Sequence, residues 1–465
     1  MKRLLVAFTA LGLFATAPAR AAETPGPNVL FLLMDDQQAD TIAALGNKHI
    51  RTPNLDRLVE RGLSFDRAYV QGGLNGATCV PSRAMLLTGQ PLFRVDEKLL
   101  RDESWPAAFG KTGYTTFMSG KWHNGPPSLP RAFQEARGIF VGGMTNPLQA
   151  KLSDVVDGKL AAPRLAPKHA CAAFADEAVR FLKRKPDRPF FCYVAFDGPH
   201  DPHVVPDDFP VKYDPDRIPL PPNFAPQHPF DNGEMSIRDE ALLAWPRDQK
   251  KVRETIADYY RYVSYLDQEI GRVLDALDAS PHAKNTIVVF TADSGVARGQ
   301  HGLIGKQNCY EHSMRVPLVL AGPGIPADRR TSAMCYVFDV LPTLGKLCGV
   351  AGPRTSEGVD FTGTVKDPGR AARPHLVFAY KGVQRAVRDD RWKLIRYPRI
   401  NKTQLFDLQA DPGEITDLAD KPGQAARVEN LITLMSEELK GFGDTAPLTS
   451  ANPLPAEWEP PKAKR

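Results

Sequence analysis

The feature that most restricts how this chain can fold is a set of short, unbroken apolar runs closed off by turn residues. Asn28–Met34 (NVLFLLM), Phe190–Phe196 (FFCYVAF) and Thr286–Thr291 (TIVVFT) are too short for buried helices and show no polar alternation; Leu318–Ala321 is a briefer example. A strand reads this way when both of its faces are covered, as in a parallel sheet packed between helices. Between two of the runs, Ile256, Tyr259, Val263, Leu266, Ile270, Val273 and Leu277 fall three or four apart. That spacing lays one apolar stripe along a long helix over residues 252–277, packing its tyrosines inward. Strands alternating with helices predict an α/β fold built on a large, doubly wound, mostly parallel sheet flanked by helices. Ligands of such sheets bind beyond the carboxyl ends of the strands. Two of the runs end there in acid, Asp35-Asp36 after the first and Asp293 after the third.

The 465 residues, at roughly 150 per domain, allow two to three units. With 42% hydrophobic and 24% charged residues the chain is neither disordered, collagenous nor a polytopic membrane protein. A net charge of +5 is too mild to argue for nucleic acid. From about residue 375 the pattern changes. Arg385–Tyr397 reads as a hairpin turning near Asp389-Asp390, Leu405–Leu408 follows, and a helix is expected over about Gly423–Leu439. This separates a main unit, 22–374, from a small C-terminal antiparallel-sheet subdomain, 375–465, whose Pro-rich end after 450 is expected to be loose. Residues 199–229 hold ten prolines and must be irregular. Loops this long inside compact domains are usually functional, and His200, Asp201 and His203 at its start favour that over an inert excursion.

Residues 1–21 read as an export signal: Lys2 and Arg3, an apolar stretch from Leu4 to Ala17, and Ala19-Arg20-Ala21 before the cut. The stretch is short for a bilayer span, the alternative being an N-terminal anchor. The mature chain, with 56 basic and 54 acidic residues, is expected in the periplasm or secreted, with no membrane insertion. Export permits disulfides. Cys79, Cys171, Cys192, Cys309, Cys335 and Cys348 form no CxxC pair, so a zinc cluster is not expected. Cys335 with Cys348 is a candidate bridge, and most of the others are expected to be buried small hydrophobes.

The most informative stretch is Cys79-Val80-Pro81-Ser82-Arg83-Ala84-Met85-Leu86-Leu87-Thr88-Gly89. It resembles the activation motif of the type I sulfatases, C-x-P-S-R followed by L-T-G, at every specified position. Read without that likeness, Cys79 at a helix start would be a low-pKa thiol nucleophile, which leaves the flanking Pro, Arg and Thr-Gly unexplained. The resemblance extends over nearly the whole mature chain. Asp35-Asp36 matches the family's paired metal-binding acids, Thr52–Asp56 its TPNLD segment, Gly120–His123 its GKWH and Gly305–Asn308 its GKxN. Pro199-His200 stands at its catalytic-histidine position. Arg388–Leu394 and Leu405–Leu408 resemble its C-terminal subdomain. Taken alone, Asp35-Asp36 would as readily cap a helix, and Lys121 and Lys306 would be surface lysines.

The resemblance implies an alkaline-phosphatase-like fold and a sulfuric ester hydrolase in which Cys79 is oxidised to formylglycine. The residue types suit that chemistry. A sulfate ester needs an in-line nucleophile, compensation for charge on the non-transferred oxygens and a proton for the leaving group. Asp35, Asp36 and Asp293 are hard oxygen ligands for Ca²⁺, or Mg²⁺, and crowding them would be costly without a cation. Arg83, Lys121 and Lys306 can hold an aldehyde hydrate and a sulfate, and His123 and His200 can move protons near neutral pH. By resemblance, the hydrate at position 79 attacks sulfur with Asp293 helping to deprotonate it. His200, with Lys306 beside it, protonates the departing alcohol. The covalent sulfate left on position 79 is then expelled, with His123 as base.

One position departs from the family. After the third metal acid, where Asn or His is usual, stands Ser294, a weak neutral oxygen ligand that either ligates or yields to water. Asp201, His203 and His301, with Asn75 and Trp105, are candidates for reading a sugar ring, although His301 could simply close a turn and Asp201 start one. The Pro-rich segment and Gly302–His312 look like bacterial sulfatases acting on sulfated glycans. The expected partners are a sulfated carbohydrate, narrowed to a galactose or N-acetylgalactosamine sulfate, and a formylglycine-generating or sulfatase-maturating enzyme. A phosphonate or phosphate-ester hydrolase on the same fold is the first alternative, and an inactive sulfated-glycan binding protein the second.

Overall fold

A computed structural model describes residues 26–184 and 187–460; the signal-peptide assignment lies outside these residues. Eight strands form the central sheet: β1 (Asn28–Asp35), β2 (Gly62–Tyr69), β3 (Thr115–Trp122), β4 (Glu135–Val141), β5 (Phe190–Pro199), β6 (Thr286–Ala292), β7 (Arg315–Ala321) and β8 (Arg329–Tyr336). Their order across the sheet is β8-β2-β7-β6-β1-β5-β3-β4. The three long apolar runs are neighbours at its centre, with β1 parallel to both β5 and β6. Every residue of those three strands is buried, which is why none shows polar alternation. The fourth run does not follow them. It belongs to β7, antiparallel to β6 and to β2, so one strand opposes the other seven.

Helices cover the sheet. Among them, α1 (Pro53–Glu60) and α3 (Ala170–Lys183) pack on α4 (Gln249–Asp278), whose apolar stripe is the one expected from sequence. The TPNLD segment opens α1 and docks it: the amides of Asn54 and Leu55 both donate to the Asp267 carboxylate on α4. Among the described residues no helix is long and apolar enough to cross a membrane. The last part of the chain forms an antiparallel meander of β9 (Leu376–Tyr380), β10 (Gln384–Arg388), β11 (Trp392–Tyr397) and β12 (Lys402–Asp407), with α5 (Ala425–Gly441) against it. This second sheet borrows its fifth strand from the first part of the chain: Gly72–Gly73 pairs in parallel with β9, six residues before Cys79.

Three expectations are corrected. Residues 451–460 are docked rather than loose: the Asp231 amide donates to the Ala456 carbonyl at 2.8 Å, and Trp458 packs edge-on against Trp245. Cys335 and Cys348 are not bridged; all six cysteines are free and buried. Trp105 is a core residue, 4% exposed, lying against Gly345 and Gly352 rather than facing a ligand.

Candidate active site

The carboxyl ends of β1, β5, β6 and β3 deliver, in turn, Asp35-Asp36, His200, Asp293 and Lys121-Trp122-His123 to one place. Cys79 is brought there as the first residue of α2 (Cys79–Thr88), a helix buried along almost its whole length. Gly89 ends α2 in the left-handed conformation at φ 72, where an added Cβ would lie 2.1 Å from the Ser356 hydroxyl. The Thr-Gly of the motif is thus the helix stop. Gly120 has a comparable role before Lys121. Its φ is 111, and a Cβ would stand 1.9 Å from the Ala195 carbonyl, so only glycine allows β3 to press on β5 and turn Lys121 inward. Asp35-Asp36 caps no helix; the next helical turn begins at Ala43.

Oxygens of Asp35, Asp36 and Asp293 and the sulfur of Cys79 lie within 4.8 Å of one another, all buried. The Cys79 sulfur stands 3.1 Å from Asp35 Oδ1 and 3.7 Å from Asp36 Oδ1. Three buried cations face the three carboxylates. Lys306 Nζ reaches both Asp36 oxygens at 2.7 Å and the Cys79 sulfur at 3.0 Å. Lys121 pairs with Asp35 and donates to the Gly143 carbonyl at 2.6 Å. Arg83 Nε donates to Asp293 at 2.7 Å, and its Nη2 approaches Asp35 at 3.4 Å without a hydrogen bond of its own. Crowding the acids is therefore balanced within the chain, and a dication there would leave the cradle at +2, suited to an anionic ester. Three converging hard oxygen donors fit Ca²⁺ or Mg²⁺.

These charges set the titrations. Burial alone would raise the Asp35 carboxyl, but Lys121 and then Arg83 hold it well below the ordinary carboxylate range. Asp293 is pushed up by burial and then by the charge of Asp35. The Cys79 thiol is pushed up by burial and then by Asp293 and Asp35, the opposite of an activated thiolate. His123 is lowered to about 3 by burial and then by Lys121, so its ring is neutral and its Nδ1 is unpartnered. His200 Nε2 lies 3.6 Å from Asp36 while its Nδ1 faces the Asp201 carbonyl at 2.8 Å, which orients the ring.

The remaining sequence candidates are placed differently. Ser294 is buried beside Asp293, but its hydroxyl donates to the Gly295 carbonyl at 2.8 Å. Asp201 is held by Arg238, which also reaches Asp239 at 3.0 Å. His203 sits behind the cluster, with Nε2 2.9 Å from Arg298. The structure does not bring His301 to the carboxylates: its ring stacks on Tyr310 at 4.0 Å, and its backbone, at φ 53, forms the turn Gly299–Gly302. Asn75 lies in the loop before Cys79 and binds Glu97 at 2.9 Å. Pro219–Asn223 of the Pro-rich segment line a separate cavity of about 520 Å³, together with Arg298 and Arg315. Sequence reasoning missed Arg238, Asp239 and Arg298, which no motif marks. It also missed Gln307, whose side chain bonds Asp239 at 2.7 Å and the Gly76 carbonyl at 3.0 Å, joining the two loops beside Lys306.

Comparison with known proteins accounts for this arrangement. A model of the Sulfatase family matches residues 27–350, and one of the N-sulphoglucosamine sulphohydrolase C-terminal region matches 299–441. An N-acetylglucosamine-6-O-sulfatase of Bacteroides thetaiotaomicron is 25% identical, covering 96% of this chain and 92% of its own. A structure in complex with its substrate D-glucosamine-2-N,6-O-disulfate superposes with a TM-score of 0.74 at 22% identity, over 91% of this chain and 99% of its own. The phosphonate monoester hydrolase of Agrobacterium radiobacter gives 0.71 at 21%, over 90% and 97%. With its alkaline-phosphatase-like sheet, and a family match over most of its length, the chain belongs to the sulfatase family and is a sulfuric ester hydrolase.

Proposed function

We propose that this enzyme hydrolyses sulfate esters of a sulfated carbohydrate, using a formylglycine made from Cys79. The observation that carries the proposal is the position of Cys79, buried at the head of α2 with Lys306 at 3.0 Å and two carboxylates beside it, which supports reading position 79 as the reacting group. Formylglycine, hydrated, supplies a hydroxyl able to attack sulfur and a second one able to release the sulfate. Asp35, Asp36, Asp293 and position 79 would hold a divalent cation, calcium by preference, which would supply positive charge against sulfate oxygens and lower the pKa of a neighbouring hydroxyl. Whether Ser294 completes the ligand set depends on its hydroxyl turning from the Gly295 carbonyl to present its oxygen.

The chain's own groups then divide the work. Asp293, the acid whose proton affinity is raised, takes the nucleophile's proton. Arg83 and Lys121 fix the carboxylates and meet charge on the transferred group. His200, oriented through Nδ1 by the Asp201 carbonyl, gives a proton to the leaving oxygen, with Lys306 beside it. His123, by likeness to the family and with its Nδ1 unpartnered, is the candidate base for the second half-reaction.

The names of two relatives draw the substrate toward sulfated glucosamine, whereas galactose or N-acetylgalactosamine sulfate rests on sequence likeness alone. Asp201 and Asn75 are proposed to meet the sugar; His203 and His301, as placed, would act only through their neighbours. Residues 1–21 support export to the periplasm or beyond, and formylglycine formation during export would require a maturation enzyme as partner. The test is sulfate release from defined gluco- and galacto-configured sulfated sugars, with an aryl phosphonate monoester assayed in parallel. Turnover of a sulfated sugar, lost by at least 1,000-fold in Cys79→Ala, is expected. The likeness to a phosphonate hydrolase makes preference for the phosphorus ester the competing outcome. Binding of sulfated sugars without turnover by a matured chain would make it a lectin.

A further inference from the structure

Asp36 is held at φ 63, a backbone conformation that residues with a side chain rarely adopt. Aspartate bears it better than most, yet it costs about 1 kcal/mol and must be fixed by its surroundings. The fixing group comes from α4. The Tyr259 hydroxyl donates to the Asp36 carbonyl oxygen at 2.8 Å and accepts from the Gln38 amide at 3.0 Å, so a single phenol clamps the backbone on both sides of Gln37. The tyrosine is fully buried. The Arg298 guanidinium lies 4.5 Å above its ring, and His203, which Arg298 holds at 2.9 Å, packs edge-on at 5.5 Å. Tyr262, less than one turn further along α4, has no such role: among the described residues its hydroxyl hydrogen-bonds the Cys171 sulfur, at 3.8 Å, and no backbone group.

We propose that Tyr259, braced by Arg298, is a positioning residue for the cation: by clamping the Asp36 backbone it aims the Asp36 carboxylate and so sets metal affinity. This rests on the reading of Asp35, Asp36 and Asp293 as metal ligands. The hydroxyl itself points at backbone, not at substrate or cation.

The test is isothermal titration of calcium into the matured full chain after removal of bound metal. Tyr259→Phe is compared with wild type and with Tyr213→Phe. The Tyr213 hydroxyl bridges the Arg51 amide at 2.8 Å and Ser264 at 2.6 Å, also tying a loop to α4 but away from the carboxylates. The proposal expects Tyr259→Phe to weaken calcium binding about tenfold, as loss of one or two buried hydrogen bonds would. Tyr213→Phe should stay within twofold of wild type. Aryl sulfate turnover by Tyr259→Phe should recover as calcium is raised, with KM for the ester unchanged. A Tyr259→Phe protein that binds calcium as wild type does overturns the proposal. Should that variant not fold, Arg298→Lys, which keeps the phenol but uncovers its ring, must weaken binding at least twofold; unchanged affinity overturns the proposal equally. If matured wild type binds neither calcium nor magnesium, the metal reading itself fails and takes the proposal with it.

Discussion

Ser294 is the residue at which this chain differs most plainly from the sulfatase pattern, and its environment makes a quantitative expectation possible. Its hydroxyl is spent on the Gly295 carbonyl. In Ser294→Asn an amide oxygen, a stronger neutral ligand, would occupy the same place beside Asp293. Calcium binding is expected to tighten by roughly three- to tenfold; titration showing unchanged or weaker binding would mean that this position does not face the ion. At this scale the sequence was informative where residues sit in contiguous motifs. Cys79, Arg83, Lys121 and Lys306 could be picked out because the segments holding them resemble sulfatase motifs, in which Gly89 and Gly120 have fixed backbone duties. Tyr259 and Arg298 could not. A tyrosine in an apolar stripe looks the same whether its hydroxyl is idle or clamps a backbone turn, and a single buried arginine has no spacing to betray it.

Elements were read well when their burial was uniform. The central strands β1, β5 and β6 were legible because a strand covered on both faces has no alternative to an apolar run. Direction was not legible: β7 carries the same kind of run yet lies antiparallel, because apolar content reports burial and not the sense of the chain. The docking of residues 451–460 was missed because proline-rich segments have no periodicity, whereas their anchoring depends on single contacts such as Trp458 on Trp245. The bulge between Ser119 and Gly120 in β3 offers a test at this level. Gly120→Ala would force a Cβ against the Ala195 carbonyl in a left-handed conformation, and a loss of about 3 kcal/mol or more is expected from urea unfolding. A variant within 0.5 kcal/mol of wild type, roughly the spread of neutral surface changes, would show that β3 can slide away.

For the whole molecule, buried histidines weaken the fold in acid. Burial lowers His228 to about 4 and His301 to about 3, and drives His203 and His312 well below the usual range. These rings stay neutral when folded, while in the unfolded chain they take up protons below about pH 6.5. The unfolded state then binds more protons, so stability falls as pH drops from 6.5 toward 4, by up to about 1.4 kcal/mol per pH unit for each ring. Denaturant midpoints at pH 7 and pH 5 should therefore differ clearly; equal midpoints would contradict this burial. The fold class was visible in the sequence because it follows from many residues acting alike. The rim of the site was not, since Arg238, Asp239 and Gln307 meet only once distant loops have closed.

The strand Gly72–Gly73, lodged against β9 six residues ahead of Cys79, fixes an order of events. At 1% exposure in the folded chain the Cys79 thiol is out of a modifying enzyme's reach. Yet the partner strand lies some three hundred residues downstream and is synthesised long after the cysteine. If Cys79 is the residue oxidised, its conversion would have to come before that pairing closes. Purified, fully folded protein bearing the free thiol should accordingly resist conversion by a maturation enzyme that converts the unfolded chain, with intact mass as the readout.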